Sequence, residues 1–597
     1  MNGIFLNELS KTWTKLFKLT LSEEENDLKI SNLFDPFGLL EKQLAQDLVS
    51  IFDPLGITRS CFDVQRAWLE HPEKLYTRLG RLSCDMWAIQ LQSWQRFSGL
   101  PTKDVISVTE SDGRFQDPAW TENPCLDVIK EYYLLYSNWL ENTIFETPDL
   151  SDKNKRKAAF WVKQGLNVIA PTNYFWTNPI AVNRFVETGG RSLLNALKNI
   201  LIDAQQQTIR MVDETAFVVG KDLANTAGSV VYRNELFELI QYTPTTEQVH
   251  KIPLLIVPPW INKYYILDLG ERKSMVKHLV NQGYSVFLIS WKNPTVEMRY
   301  TSVDDYMFKG ILTAIQVTKS IAQAPQVHAV GYCIGGIILT ALIAWLANEE
   351  DNPIASWSLF ATLIDFANPG DIEVFIDEDT VNYIETLMSN KGYLDGKQLA
   401  DSFRMLRSDT LIWHYFVHNY LYGEELPEFD VLFWNMDSTR LPEAMHSFYL
   451  RQFYLQNKFV ERDGIKLGGK WLDVRKIQTP LYAVGTEQDH IAPWQETFKI
   501  CNLIKAPAHY TLASSGHILG IISPPVTPAK RYYWANITQG QPATLWQQNT
   551  EKVVGSWWEN WTAWLDQHCG ELQAPLTVGN GEYPPLMAAP GSYVMEK

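Results

Sequence analysis

The hexapeptide Gly331-Tyr332-Cys333-Ile334-Gly335-Gly336 constrains this chain more than any other stretch. It follows Val327-His328-Ala329-Val330, an apolar run of strand type, and leads into an uncharged segment that ends at Ala347. Small residues around a central cysteine let the backbone turn sharply from strand to helix, so that the Cys333 side chain projects above the edge of a sheet. Read as one helix, Ala329 to Ala347 is long enough to span a bilayer. A buried strand, turn and helix accounts for both the apolarity and the glycines, so no transmembrane segment is expected.

The surrounding sequence fits such a turn. From about Ala227 strands alternate with helices, which signals a mainly parallel sheet covered on both faces. Strands are predicted at Ser229–Tyr232, Leu236–Tyr242, Leu254–Pro258, Ser285–Trp291, Val327–Val330, Ser356–Leu363, Leu481–Val484 and His509–Leu512. Residues 366–476 interrupt this series with helical periodicity and many aromatics, including Trp413, Tyr415, Phe416, Tyr420, Phe429, Phe433 and Trp434. An insertion there belongs over the carboxyl edge of the sheet as a lid. The expected fold class is α/β, an α/β-hydrolase domain over residues 211–597 with an inserted lid. A mostly helical domain over residues 1–210 precedes it, and an extended, Pro- and Gly-rich tail over about 570–597 ends it.

At 597 residues the chain exceeds a single core, which agrees with two domains. A net charge of −16 without Lys/Arg blocks argues against a nucleic-acid partner. The six cysteines lack CxxC spacing, so neither a metal site nor a disulfide framework is expected, and a reduced, cytoplasmic setting fits. The N-terminus lacks the pattern of a secretory signal. Phe5, Leu9, Trp13 and Leu16 line one face of a predicted helix that suits a lipid or polymer surface, or packing on its own domain.

Cys333 is the candidate nucleophile, since the N-terminus of the following helix favours a thiolate; inert packing is the alternative. In this fold the acid and then the base follow the nucleophile in the chain. His517, in Ser515-Gly516-His517 after the last predicted strand, is the candidate base, whereas His490 suits an orienting or capping role better. Asp489 is the candidate acid, with a plain helix cap as its alternative role and Asp365 as its rival. An oxyanion hole needs the backbone N–H of Ile334 and a second donor. In Pro258-Pro259-Trp260-Ile261 the prolines have no N–H, which leaves Trp260 or Ile261; Trp260 is taken here, although the prolines could simply stiffen the loop. Trp557, Trp561 and Trp564 share one helical face and are expected in the core. A cysteine nucleophile exchanges one thioester for another at little free-energy cost, which suits acyl transfer.

Longer motifs carry a resemblance. Asn225 to Asn234, Glu238 to Tyr242 and Pro258 to Leu269 are similar to signatures of polyhydroxyalkanoate synthases. So are the Cys333 hexapeptide, Phe433-Trp434-Asn435, Asp489 to Trp494 and Gly516-His517-Ile518. The resemblance runs from about residue 200 to the C-terminus and implies a cytoplasmic homodimer at the surface of polyester granules, using Cys333, Asp489 and His517 without a cofactor. Length and ending resemble the single-subunit type that joins short 3-hydroxyacyl-CoA units, such as 3-hydroxybutyryl-CoA, onto a growing polyester chain. A cysteine-dependent thioester or lactone hydrolase is the enzymatic alternative. A catalytically silent granule-coat protein is the other.

Overall fold

The computed structural model describes residues 53–597 except 101, 110, 111, 207, 348 and 539. The helix expected around Phe5, Leu9, Trp13 and Leu16 lies outside the described residues. Two compact units form: Met1–Val212 with Asp401–Pro427, and Asp213–Ala400 with Glu428–Lys597.

The first unit is helical, with Pro72–Phe97, Pro124–Phe145 and Asp152–Val168 its longest described helices. Side chains satisfy the N–H groups that a helix start leaves unpaired: Asn123 Oδ1 accepts from Cys125 N at 3.0 Å and Ser151 Oγ from Asn154 N at 3.3 Å. Asp401–Pro427, inside the segment expected to form one continuous lid, groups with these helices instead. Its polar groups are completed there. Asn167 Nδ2 donates to Ser408 Oγ at 2.9 Å, and the Tyr420 hydroxyl to Asp203 Oδ2 at 2.6 Å. Val417 and Tyr422 pack with Ala181. Helical periodicity shows that a segment has a face to bury, not which unit it is buried against.

The second unit is built on an eleven-stranded sheet. Its strands are β1 (Gly228–Arg233), β2 (Phe237–Tyr242), β3 (Leu254–Val257), β4 (Val286–Trp291), β5 (Val327–Tyr332) and β6 (Ile354–Phe360). They continue with β7 (Leu481–Thr486), β8 (Ala508–Ala513), β9 (Tyr532–Ile537), β10 (Lys552–Val554) and β11 (Met587–Ala588). The spatial order is β10-β9-β8-β7-β6-β5-β3-β4-β2-β1-β11. Neighbours from β4 through β8 run parallel, and the strands flanking them are antiparallel. Alternate residues face opposite sides: Leu255, Val257, Phe287 and Ile289 enter one core, Leu254, Ile256, Val286 and Leu288 the other. Burial on both faces is why these strands read as unbroken apolar runs.

All eight predicted strands are present. Those missed are β9, β10 and β11 at the sheet's edges and the short pairs Ile465–Leu467/Lys470–Leu472, Val249–His250/Leu572–Gln573 and Tyr393–Leu394/Leu441–Pro442. Edge strands bury less and so carry a weaker pattern, β10 being exposed throughout. In the tail, β11 pairs with Ser229 and Val230, and the buried Glu238 carboxylate accepts the backbone N–H groups of Ser592 at 2.9 Å and Tyr593 at 3.0 Å. Composition carries no signal for such pairing. The helix Ile334–Leu346 is only 13 residues long, about 20 Å. Among the described residues no helix is long and apolar enough to cross a membrane. Trp557 and Trp561 are buried, their indoles donating to Gly520 O at 2.8 Å and Ser358 Oγ at 2.9 Å, as expected of core residues.

Candidate active site

Cys333 stands between β5 and the helix Ile334–Leu346, with φ 51° and ψ −125°. A non-glycine residue at positive φ is strained, and strain of this kind marks sites held by their surroundings. Here Cys333 N donates to Phe360 O at 2.8 Å, and Thr362 Oγ1 donates to Cys333 O at 3.1 Å. The flanking glycines permit close packing. A Cβ on Gly331 would meet Gly336 Cα at 2.5 Å, and one on Gly335 would meet Pro258 O at 2.5 Å and Val257 O at 2.6 Å. Gly335→Ala is therefore expected to cost about 1–3 kcal/mol, because neither backbone carbonyl can yield without moving β3. Chemical denaturation would measure it, and an unchanged midpoint would show that the helix start tolerates displacement.

His517 and Asp489 reach the same place from the loops after β8 and β7. His517 Nδ1 lies 2.7 Å from Asp489 Oδ2, and its ring is near enough to Cys333 for the two to interact electrostatically. Asp489 Oδ1 accepts the N–H groups of Ile491 at 2.9 Å and Ala492 at 2.8 Å, and its Oδ2 accepts the Thr486 hydroxyl at 3.1 Å. Burial works against charge on both residues. It is outweighed at His517, whose pKa is raised by Asp489 and Cys333, and at Asp489, whose pKa is lowered by His517 and the two N–H donors. Tyr332 stacks on the imidazole with centroids 5.9 Å apart, fixing the ring from behind.

Asp365, the rival acid, is committed elsewhere: its carboxylate accepts from Asn457 Nδ2 at 2.8 Å and Lys499 Nζ at 2.9 Å. The loop carrying Trp260 is anchored by Trp291 Nε1 donating to Pro258 O at 2.9 Å and by the Thr439 hydroxyl donating to Trp260 O at 2.7 Å. The contact of Gly335 with Val257 and Pro258 brings this loop beside the backbone of Ile334.

Three aromatics of the lid segment that the sequence reading did not assign to the site form a cluster. Phe366, Tyr449 and Tyr454 pack together, with Phe366 4.7 Å from Tyr454 and Tyr449 5.1 Å from Tyr454 between ring centroids. Both tyrosines are close enough to Cys333 for its charge to raise their pKa values after burial has done so. In an α-helix, residues five apart point about 140° away from each other. Tyr449–Leu455 is a π-helix, whose wider turn brings Tyr449 and Tyr454 toward one face. No helical-wheel reading would have paired them. Away from this site, Asp104, Asp127 and Glu131 cluster in the helical unit, but Lys130 and Arg96 already pair with Asp127.

Residues 111–279 match the family described as "Poly-beta-hydroxybutyrate polymerase (PhaC) N-terminus", and residues 253–524 match the alpha/beta hydrolase fold. The chain is 39% identical over 552 residues to the poly(3-hydroxyalkanoate) polymerase of Methylorubrum extorquens, covering 91% of this chain and 90% of that protein. It is 39% identical to the poly(3-hydroxyalkanoate) polymerase subunit PhaC of Cupriavidus necator, covering 81% and 83%. Poly(3-hydroxyalkanoate) polymerase 1 of Ectopseudomonas oleovorans is 36% identical, with 83% and 88% covered. Among solved structures, a monoacylglycerol lipase of Paleococcus ferrophilus aligns with 47% of this chain and 89% of its own at 11% identity and a TM-score of 0.29.

Proposed function

The chain belongs to the poly(3-hydroxyalkanoate) polymerase family, and from that premise we propose that it is an acyltransferase that builds polyester through a covalent intermediate on Cys333. His517 takes the thiol proton, and the thiolate attacks the carbonyl carbon of a 3-hydroxyacyl-CoA. The backbone N–H groups of Ile334 and Trp260 hold the developing oxyanion while CoA leaves as its thiol. The 3-hydroxyl of another unit or chain end then attacks the acyl-cysteine, giving up its proton toward His517. An ester forms, the Cys333–acyl bond breaks, and the chain is longer by one unit.

The observation that supports this reading is the Asp489–His517 pair beside Cys333 at a strand-to-helix turn. Phe366, Tyr449 and Tyr454, as aromatic walls of the acyl site, favour short acyl groups such as 3-hydroxybutyryl and transfer to an alcohol over transfer to water. The unit of Asp213–Ala400 with Glu428–Lys597 serves as the catalytic domain, and the parts of the inserted segment that belong to it serve as its lid. The protein acts as a homodimer in the cytoplasm, at the polyester granule surface.

Purified protein given 3-hydroxybutyryl-CoA should release CoA and deposit insoluble polyester. Release of CoA with free 3-hydroxybutyrate would make it a hydrolase instead. No release, with the protein still bound to polyester particles, would make it a coat protein.

A further inference from the structure

Trp260 enters the proposed mechanism only through its backbone, yet its side chain has an unusual setting. The residue is 3% exposed, and its indole Nε1–H has no acceptor among the described residues. An indole nitrogen can only donate, so a buried one without an acceptor has lost its water for nothing. Several other buried tryptophans of this unit are satisfied: Trp357 donates to Thr479 O at 3.0 Å, Trp434 to Lys263 O at 2.6 Å, and Trp558 to Ile521 O at 2.9 Å. Trp546 is also unpartnered, but it sits against Phe498 and Tyr510.

Trp260 is placed differently. Its ring centroid lies 5.3 Å from Tyr306 and 6.4 Å from Tyr449. The loop that carries Trp260 lies against Gly335, two residues after Cys333, where Val257 O and Pro258 O would meet an added Cβ at 2.6 and 2.5 Å. A second buried nitrogen without a partner among the described residues, His446 Nδ1, belongs to a ring tilted against Tyr449 with centroids 6.3 Å apart. Two buried nitrogens beside Tyr449 thus lack partners among the described residues.

We propose that the indole N–H of Trp260 recognises the substrate, donating a hydrogen bond to the 3-oxygen of the acyl unit carried on Cys333. The inference rests on the acyl-cysteine reading above and adds to it how a 3-hydroxyacyl group is told from a plain acyl group. In the reading above the thioester carbonyl oxygen is held at the backbone N–H of Trp260, so the 3-oxygen, two carbons from the carbonyl carbon, stays close to the same residue. A hydroxyl that accepts from the indole keeps its own proton free. A site built to pair a hydroxyl rejects an analogue lacking it, because its own buried donor then stays unpaired.

The test compares CoA release in a single turnover from 3-hydroxybutyryl-CoA and from butyryl-CoA, which lacks only the 3-hydroxyl. The wild-type protein should acylate with the hydroxylated substrate about tenfold or more faster, and this preference needs no variant to be measured. Trp260→Phe, which keeps a ring but removes the N–H, should lose about tenfold on 3-hydroxybutyryl-CoA, lose little on butyryl-CoA, and so erase the preference. Equal rates for the two substrates in the wild type would overturn the assignment. So would a folded Trp260→Phe protein that keeps the preference, or that slows equally on both substrates as a merely structural role requires. Failure of the wild type to make polymer, or to carry an acyl group on Cys333, would instead overturn the underlying reading.

Discussion

Cys333→Ala should abolish CoA release from 3-hydroxybutyryl-CoA, by about a thousandfold or more, in a protein that folds normally. The two halves of this expectation have separate causes. Alanine removes the sulfur that forms the bond to the acyl carbon, and no neighbouring group replaces it. The fold loses little, because Cys333 is only half-buried and its backbone, with φ 51°, is held by Phe360 and Thr362 through main-chain hydrogen bonds that alanine keeps. Cys333→Ser should retain a trace at most, since the hydroxyl is harder to ionise and its ester is a poorer acyl donor. CoA release and circular dichroism on the same sample check both halves. Substantial turnover in the alanine protein would remove the covalent intermediate from the mechanism.

Asp489→Asn should slow polymer growth by about 10³–10⁴-fold and should slow the first acylation no more than that. The amide can still accept the N–H groups of Ile491 and Ala492 through its oxygen, but that leaves its NH₂ facing His517 Nδ1. The imidazole must then accept at Nδ1 and carry its proton on Nε2, the nitrogen that has to take a proton. A thiol beside an imidazole can ionise as a pair, so the first attack suffers less. An alcohol cannot, so elongation suffers most. The observable is added mass on the Cys333 peptide, persisting after one release of CoA. The same change should lower stability at neutral pH. The folded pKa of Asp489 is depressed, so its contribution is present above the ordinary carboxylate range and is lost as the pH falls through the depressed value. Rates should therefore be compared well below the melting temperature. Normal growth in Asp489→Asn, with a stall in Asp365→Asn, would reassign the acid to the strand before.

Where the sequence reading succeeded, the physical signal was local. A turn from β5 into its helix needs glycine wherever a Cβ would strike backbone, so Gly331 and Gly335 announce the turn. Strands buried on both faces must be apolar throughout, so the central strands were visible. The loops that carry Cys333, Asp489 and His517 could be placed because each follows a visible strand: β5, β7 and β8.

Choices that depend on what a segment packs against were not legible. Asp365 and Asp489 both follow sheet strands, and only the fold sends Lys499 and Asn457 to one and His517 to the other. Asp401–Pro427 reads as lid, yet its hydrogen-bond partners lie in the helical unit. Tyr449 and Tyr454 share a face only because the backbone there winds as a π-helix. Trp260 could be named from sequence as a backbone donor. That its indole N–H is buried without an acceptor beside Tyr449 is decided by the tertiary structure alone, because burial and pairing are properties of surroundings gathered from distant parts of the chain.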